Sequence, residues 1–352
     1  MEKNRVVVAM SGGVDSSVTA ALLLEQGFQV IGVNMLLGSG FKDGTAPDSA
    51  RDAQTVAEQL NIPFHVVDYH KAFKKNVVDY FCDEYSSGRT PNPCIVCNKT
   101  IKFGKLMEFA NKIGVEYIAT GHYARIEKDN ETGRYLLKKG IDSQKDQSYA
   151  LFSLSQEQLR HIITPLGNYT KINIRKLAES LSLKVSQRPE SQELCFISDK
   201  NYNKFLQEKS KDQVKPGPIL DIKGNILGQH NGIQFYTIGQ RKGLGAFGKP
   251  MYVLKIEPSQ NAVIIGTKEE LLVNKLTASS ANFISIPELR EEMRITAKIR
   301  YNDPGARARV IPVENQKKSF RIIFDQPRRA VTPGQAVVLY DGDTVVGGGW
   351  IE

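Results

Sequence analysis

The chain has 352 residues, 41% of them hydrophobic and 24% charged, with a formal net charge of +9. That length exceeds a single core, so two or three domains that fold without staples are expected. The start has no apolar signal region, and no run approaches the roughly 20 apolar residues that span a bilayer. With four cysteines in so long a chain, a disulfide scaffold is excluded in favour of a reducing, cytoplasmic setting in which the cysteines do chemistry.

The apolar run Val6-Val7-Val8-Ala9-Met10 reads as a buried first strand. It runs straight into Ser11-Gly12-Gly13-Val14-Asp15-Ser16-Ser17, after which Val14, Val18, Ala21 and Leu22 recur at helical spacing. Strand, glycine turn and helix start together make a phosphate loop. Glycine lets the backbone approach a ligand, the helix dipole attracts an anion, and Ser11, Ser16 and Ser17 add hydroxyl donors. No Gly-Lys-Ser/Thr closes the loop, so it offers no lysine to the β and γ phosphates.

Further along, Gln29–Leu37 reads as a second buried strand and Ser49–Leu60 as a helix with Ala50, Ala53, Val56, Ala57 and Leu60 inward. A strand at Phe64–Asp68, a helix from Ala72 to Ser86, the loop Gly88–Cys97, a helix from Asn98 to Ile113 and a strand at Val115–Thr120 follow. Alternating strands and helices predict a parallel sheet covered on both faces, with ligands beyond the carboxyl ends of the strands. The Ser11 loop, Asn34-Met35 and Gly121-His122-Tyr123 share that edge. A hairpin joins Ala124–Ile126 to Tyr135–Leu137, and helices are expected over Asp146–Phe152, Gln156–Ile162 and Asn173–Leu181.

From Lys215-Pro216-Gly217-Pro218 the texture changes to short strands between glycine turns, a small β-rich module. Strands at Ile295–Arg300, Ala308–Pro312, Phe320–Phe324, Ala336–Leu339 and Val345–Ile351 then predict a compact barrel. The expected division is 1–207, 208–272 and 273–352. Between Arg290 and Arg329 there are eleven Lys and Arg against five Asp and Glu, which points to a polyanionic partner for the barrel.

Cys94 and Cys97 lie in Pro91-Asn92-Pro93-Cys94-Ile95-Val96-Cys97-Asn98. Cys97 is expected just before a helix start, where the dipole favours thiolate. A zinc site would need a second pair of ligands at matching spacing, and none exists. Cys195, in the apolar Leu194-Cys195-Phe196-Ile197, reads by itself as a buried small hydrophobe, and Cys82 as core.

The Ser11–Ser17 loop resembles that of the ATP pyrophosphatases, with a fold like the adenine nucleotide α-hydrolases. Beyond it come Thr90-Pro91-Asn92-Pro93 with Cys97-Asn98-Lys99, Ala119-Thr120-Gly121-His122-Tyr123 and Lys145-Asp146-Gln147-Ser148-Tyr149. Cys195-Phe196-Ile197, Thr237-Ile238-Gly239-Gln240-Arg241-Lys242-Gly243-Leu244-Gly245 and Thr332-Pro333-Gly334-Gln335 complete the set. With these motifs in this order, the chain resembles the tRNA-specific 2-thiouridylases of the MnmA type from end to end.

The resemblance implies an α/β chain: a parallel-sheet PP-loop domain, a central β-rich module and a C-terminal β-barrel that binds tRNA. It implies ATP with Mg²⁺, adenylation of the wobble uracil O2, and sulfur carried on Cys195 as a persulfide. Cys97 would be the partner nucleophile, closing a disulfide with Cys195 or freeing hydrogen sulfide. By the same carry-over Ala9, Met10, Ser11, Gly12, Gly13, Val14, Asp15, Ser16, Met35 and Gly121 would bind ATP. Asn92, Pro93 and Cys94 would line the target-base pocket. His122, Lys145, Asp146, Gln147, Arg300, Tyr301 and Gln335 would touch the tRNA. A cysteine desulfurase or sulfur-relay protein would be the donor to a monomeric enzyme. One departure stands out. Many relatives have an aspartate where this chain has Cys94, and Cys94, Cys97 and Cys195 make three thiols, the number that holds a [4Fe–4S] cluster with one open iron in related thiolases. A cluster-dependent variant therefore stays open beside the persulfide route.

Overall fold

A computed structural model describes residues 5–38, 48–185, 194–197, 201–209 and 214–352. These pack as two compact units, one of residues 1–77, 94–196 and 342–346 and the other of 78–93, 197–341 and 347–352.

The first unit is built on β1 (Arg5–Ala9), whose Val6, Val7 and Val8 are fully buried. Each such valine contributes about 1.5–3 kcal/mol relative to exposure. β1 leads into α1 (Val14–Glu25), which is buried nearly all round because the sheet lies on one side and later helices on the other. β2 (Gln29–Leu36), α2 (Asp48–Gln59) and β3 (Phe64–Asp68) follow, and α2 buries Ala50, Ala53, Val56 and Ala57 as its spacing predicts.

The expected helix over 72–86 is instead α3 (His70–Phe73), a π-helical stretch Lys74–Val78 and α4 (Asp79–Ser86). The one expected over 98–113 is α5 (Pro93–Cys97), a second π-helical stretch Asn98–Lys105 and α6 (Leu106–Lys112). β4 (Tyr117–Ala119), the hairpin β5 (Ala124–Lys128) and β6 (Tyr135–Lys139), then α7 (Gln156–Arg160) come next. The expected helix at 146–152 is a single 3₁₀ turn, Ser148–Leu151. The end of the run read as helix to Ile162 is a two-residue strand, β7 (Ile162–Ile163), followed by α8 (Lys171–Ser180). The parallel sheet has the order β3-β2-β1-β4-β7. Its carboxyl edge gathers the Ser11 loop, the end of β2 and residues 120–123.

The second unit holds α4, α9 (Tyr202–Lys209) and a four-stranded sheet of β8 (Gly217–Leu220), β9 (Ile226–His230), β10 (Tyr252–Glu257) and β11 (Ala262–Gly266). A barrel follows, formed by β12 (Leu272–Phe283), β13 (Met293–Lys298), β14 (Ala306–Pro312), β15 (Phe320–Arg329), β16 (Ala336–Asp341) and β17 (Thr344–Ile351). Its order is β12-β15-β14-β13-β16-β17, closed where Ser279 on β12 pairs with Trp350 on β17. β12 escaped the sequence reading because its run Lys275-Leu276-Thr277-Ala278-Ser279-Ser280 is mostly polar. Among the described residues no helix is long and apolar enough to cross a membrane.

Candidate active site

At the end of β1, Met10 is buried and its amide donates to Val33 O at 2.8 Å. Gly12 takes φ +73°, and a Cβ there would lie 2.5 Å from Ser49 O, so only glycine passes. Gly13 caps α1 with no side-chain hydrogen bond, which leaves the helix start without a built-in anion mimic. The hydroxyls differ from expectation: Ser16 and Ser17 donate back to Gly13 O, at 3.1 and 2.9 Å, and Ser16 Oγ accepts from Ser11 N at 3.1 Å. They brace the loop from behind, and its backbone and the exposed Ser11 are left to face a ligand. Val14 is buried at the first position of α1, and Ala9 ends β1 half-buried.

Asn34 donates to Met10 O at 2.7 Å and is buried, yet its Oδ1 has no partner among the described residues. Such an acceptor fits a nucleoside donor better than it fits a finished core. Met35 beside it is half-buried, and Gly121 lies flush on the loop, where a Cβ would stand 2.9 Å from that of Asp15.

Asp15 is not idle. Its carboxylate accepts from Lys171 Nζ at 2.7 and 2.8 Å and from the Tyr123 hydroxyl at 2.7 Å. Lys171 opens α8 behind the Thr170 cap, is only 8% exposed, and donates its backbone N–H to Asp142 at 2.9 Å. A buried lysine thus stands beside a loop whose sequence lacks one. Tyr123 is held in turn by Gln147, whose Oε1 accepts from Tyr123 N and whose backbone N–H donates to Tyr123 O, both at 2.9 Å. Asp146 accepts from Gly140 N at 3.1 Å and from Ser148 N at 3.0 Å. Asp146 and Gln147 therefore brace this corner, and Lys145 beside them is half-buried.

Cys97 corrects an expectation. It does not precede a helix: it ends α5 with φ −59° and ψ −45° and continues directly into the π-helical stretch, buried at 6% exposure. There is no free helix start to favour the thiolate, and burial pushes its thiol up to about 12. Cys94 and Cys195 are exposed, so the reading of Cys195 as a buried hydrophobe is also overturned: the ring of Phe196 packs edge-on to Phe73 while the thiol stays at the surface. Partial desolvation still pushes both thiols up. Lys102 opposes burial at all three cysteines; Cys97 also feels Cys195 and Cys94, and Cys195 feels Cys94. It sits five residues after Cys97, the repeat of the π-helical hydrogen bond, and has no carboxylate partner among the described residues.

Asn98 is buried and donates to Ala150 O at 3.0 Å, anchoring that stretch. His122 is buried, with Nδ1 2.7 Å from Thr120 Oγ1 and its ring against Phe103, and burial followed by Lys102 holds it well below the usual histidine range. Among the described residues no group of three or more His, Cys, Asp or Glu is arranged to hold a metal ion. The three thiols as they stand do not fit a cluster. Cys82 on α4 is half-buried rather than part of the core, and forms no disulfide.

In the second unit, Asn92 is half-buried and its backbone meets the Tyr80 hydroxyl, while Pro93 is buried. Arg300 and Tyr301 are exposed in the turn after β13. The Thr237–Gly245 motif ends in a loop where Arg241, Phe247 and Lys249 help line a cavity of about 330 Å³.

Three family models cover almost the whole chain: a tRNA methyl transferase HUP domain at residues 4–199, a tRNA methyl transferase PRC-barrel domain at 203–267 and an aminomethyltransferase β-barrel domain at 273–351. The tRNA-specific 2-thiouridylase MnmA of Acetivibrio thermocellus is 51% identical over 100% of both chains. The chain belongs to the tRNA-specific 2-thiouridylase family. A second member, MnmA 1 of Caldanaerobacter subterraneus subsp. tengcongensis, is 53% identical over 99% of this chain and 98% of its own. A solved 4-thiouridine synthetase bound to RNA and ATP is 18% identical over 60% of this chain and 51% of its own, with a TM-score of 0.37, too slight a likeness to carry an argument. The family places the phosphate loop and the three thiols in its HUP part and the basic strands in its terminal barrel.

On that barrel of the thiouridylase-family chain, register decides what faces outward. Arg294 pairs with Arg309, Thr296 with Arg307 and Ile311 with Arg321, so four arginines from three adjacent strands share one face. Arg309 is paired with Glu292 at 3.2 Å. Arg294, Arg307 and Arg321 are exposed and have no ion-pair partner among the described residues. Like charges opposite one another cost stability, a cost that a polyanion bound across the face relieves.

Proposed function

We propose that the chain is an ATP-dependent tRNA 2-thiouridylase that adenylates the wobble uracil O2 and replaces that oxygen with sulfur. The observation that carries this reading is the shared setting of Cys94, Cys97 and Cys195 under one cation, Lys102, in the same unit as the phosphate loop. An ATP site by itself suits many acceptors. Three thiols that share one cation suit sulfur.

In this reading the backbone of Ser11–Val14 holds the leaving pyrophosphate of Mg²⁺-bound ATP, and Lys171 supplies the cation that the loop lacks. Asp15 and Tyr123 aim that lysine. Ala9, Met10, Ser16, Met35 and Gly121 bound the nucleotide, with Asn34 Oδ1 open to a donor. The uracil O2 attacks the α phosphorus, and pyrophosphate departs. The terminal sulfur of a Cys195 persulfide attacks C2, and AMP leaves with the original oxygen. Cys97, as thiolate, attacks Cys195 Sγ, which closes a Cys97–Cys195 disulfide and leaves sulfur on the base; a thiol reductant then resets the pair. The base must be splayed out to reach the thiols, between Asn92, Pro93 and Cys94. His122, Lys145, Arg300 and Tyr301 are assigned to the tRNA, with segments 1–207, 208–272 and 273–352 as the working division. A cysteine desulfurase or relay protein loads Cys195 of a monomer.

The test is pyrophosphate release and thiolation measured together on tRNA with an unmodified wobble uridine. Release should require the tRNA, and Cys195→Ser should keep release while losing thiolation. No pyrophosphate release with or without tRNA would point to an ATP-binding sensor, and tRNA-dependent release without thiolation, unchanged in both Cys97→Ser and Cys195→Ser, to a nitrogen-using pyrophosphatase.

A further inference from the structure

Gln335 precedes β16 in the turn Thr332-Pro333-Gly334-Gln335, and its side-chain amide donates to two backbone carbonyls, Thr90 O at 3.0 Å and Pro91 O at 3.1 Å. A primary amide has two N–H donors, and both are spent here. What remains for RNA is an acceptor oxygen, which a phosphate, itself an acceptor, cannot use.

The rest of the turn grips the same segment. Thr90 N–H donates to Pro333 O at 2.8 Å, and Thr90 Oγ1 donates to Thr237 Oγ1 at 3.1 Å. Gly334, at φ +86°, lets the chains close: a Cβ there would stand 3.0 Å from Thr90 N and 3.0 Å from Arg89 Cβ. Arg89 is itself fixed to Glu84 at 2.9 Å and to Ile351 O at 3.4 Å. Pro91 and Pro93 have no N–H to offer, so the carbonyls of this segment are the handles by which it can be held. Pro93 is also the first residue of α5, which ends at Cys97.

We propose that Gln335 is a positioning residue that fixes the backbone of Thr90–Pro93, and with it the start of the helix bearing Cys94 and Cys97. The effect on sulfur transfer rests on the thiouridylase reading; the clamp does not, because it exists without RNA.

Two variants of the full chain separate these roles. Gln335→Glu keeps the shape and removes both donors, whereas Gln335→Lys restores donors on a flexible stem. Amide hydrogen exchange over residues 88–97 of the RNA-free protein should rise about tenfold in Gln335→Glu, as for loss of two modest hydrogen bonds, and return toward wild type in Gln335→Lys. Thiolation kcat should fall about ten- to a hundredfold in Gln335→Glu, with the tRNA dissociation constant within about twofold and partial recovery in Gln335→Lys. Unchanged exchange in the free Gln335→Glu protein with weakened tRNA binding overturns the proposal in favour of an RNA contact. A uniform loss of protection across the barrel in both variants overturns it as well. If wild type itself fails to thiolate, the functional reading falls while the exchange result still decides the clamp.

Discussion

Lys171 meets Asp15 at 2.7 Å across 156 positions of sequence, and nothing near the phosphate loop announces it. Removing one donor to a developing phosphate charge costs about 10²–10³ in rate in comparable sites. Lys171→Met should therefore slow tRNA-dependent pyrophosphate release about a hundredfold, read in single-turnover assays, and leave transfer from preloaded Cys195 to an already adenylated base unaffected. Equal slowing of both steps would make Lys171 a purely structural brace. His122 gives a second residue-scale expectation, this time in stability. Its folded pKa is held well below the ordinary histidine value of about 6.5 by burial, so the unfolded chain binds the proton first. Stability is full above about pH 6.5 and is lost as pH falls below it, at up to about 1.4 kcal/mol per pH unit for one proton. Denaturant titrations of His122→Asn should show a flatter loss between pH 6.5 and 5 than wild type, and parallel curves would remove His122 from the acid limb.

The π-helical stretch Asn98–Lys105 sets the electrostatics of the thiols, because a five-residue repeat brings Lys102 round to the same turn as Cys97. With burial raising the Cys97 thiol to about 12 and Lys102 pulling it down, loss of that cation leaves burial unopposed. Lys102→Met should shift the alkylation of Cys97 by iodoacetamide to higher pH and lower its rate near neutrality severalfold; an unshifted profile would show that the cation is too well screened to matter. This element also marks where sequence reading ran out. Apolar spacing made β1, β2 and α2 legible, since Val6–Val8 and Ala50, Ala53, Val56 and Ala57 each have one burial pattern open to them. Residues 98–113 read as one regular helix, because an inserted π turn leaves the apolar count almost intact. β7, two residues long, hid at the end of a helical run, and the polar face of β12 concealed a strand. The phosphate loop and the cysteines were legible from residue type. Lys171 and Lys102 were not, because a lysine at a helix start or on a polar face reads as solvated until the fold supplies its partner.

At the scale of the whole molecule, a net charge of +9 acts at a distance only where solvent does not screen it, and at physiological salt that is about 8 Å. A diffuse excess would steer RNA weakly; a face on which Arg294 and Arg309 stand directly opposite, with Arg307 on the same strand as Arg309 and Arg321 on the next, concentrates it. Phosphate contacts release counterions, so each should show in the slope of log affinity against log salt, by about 0.7–0.9 per contact. Arg307→Ala and Arg321→Ala should each lower that slope by about one and weaken tRNA binding similarly for every tRNA sequence, because phosphates carry no sequence information. At saturating tRNA, kcat should hold, since both side chains lie on the outer face of the barrel and none of the groups assigned to the chemistry is removed. The measurement is tRNA affinity by filter binding from 50 to 250 mM salt for wild type and the two variants, with the kcat comparison alongside. Slopes that stay at the wild-type value would move the RNA off this face and leave the opposed arginines without a physical account.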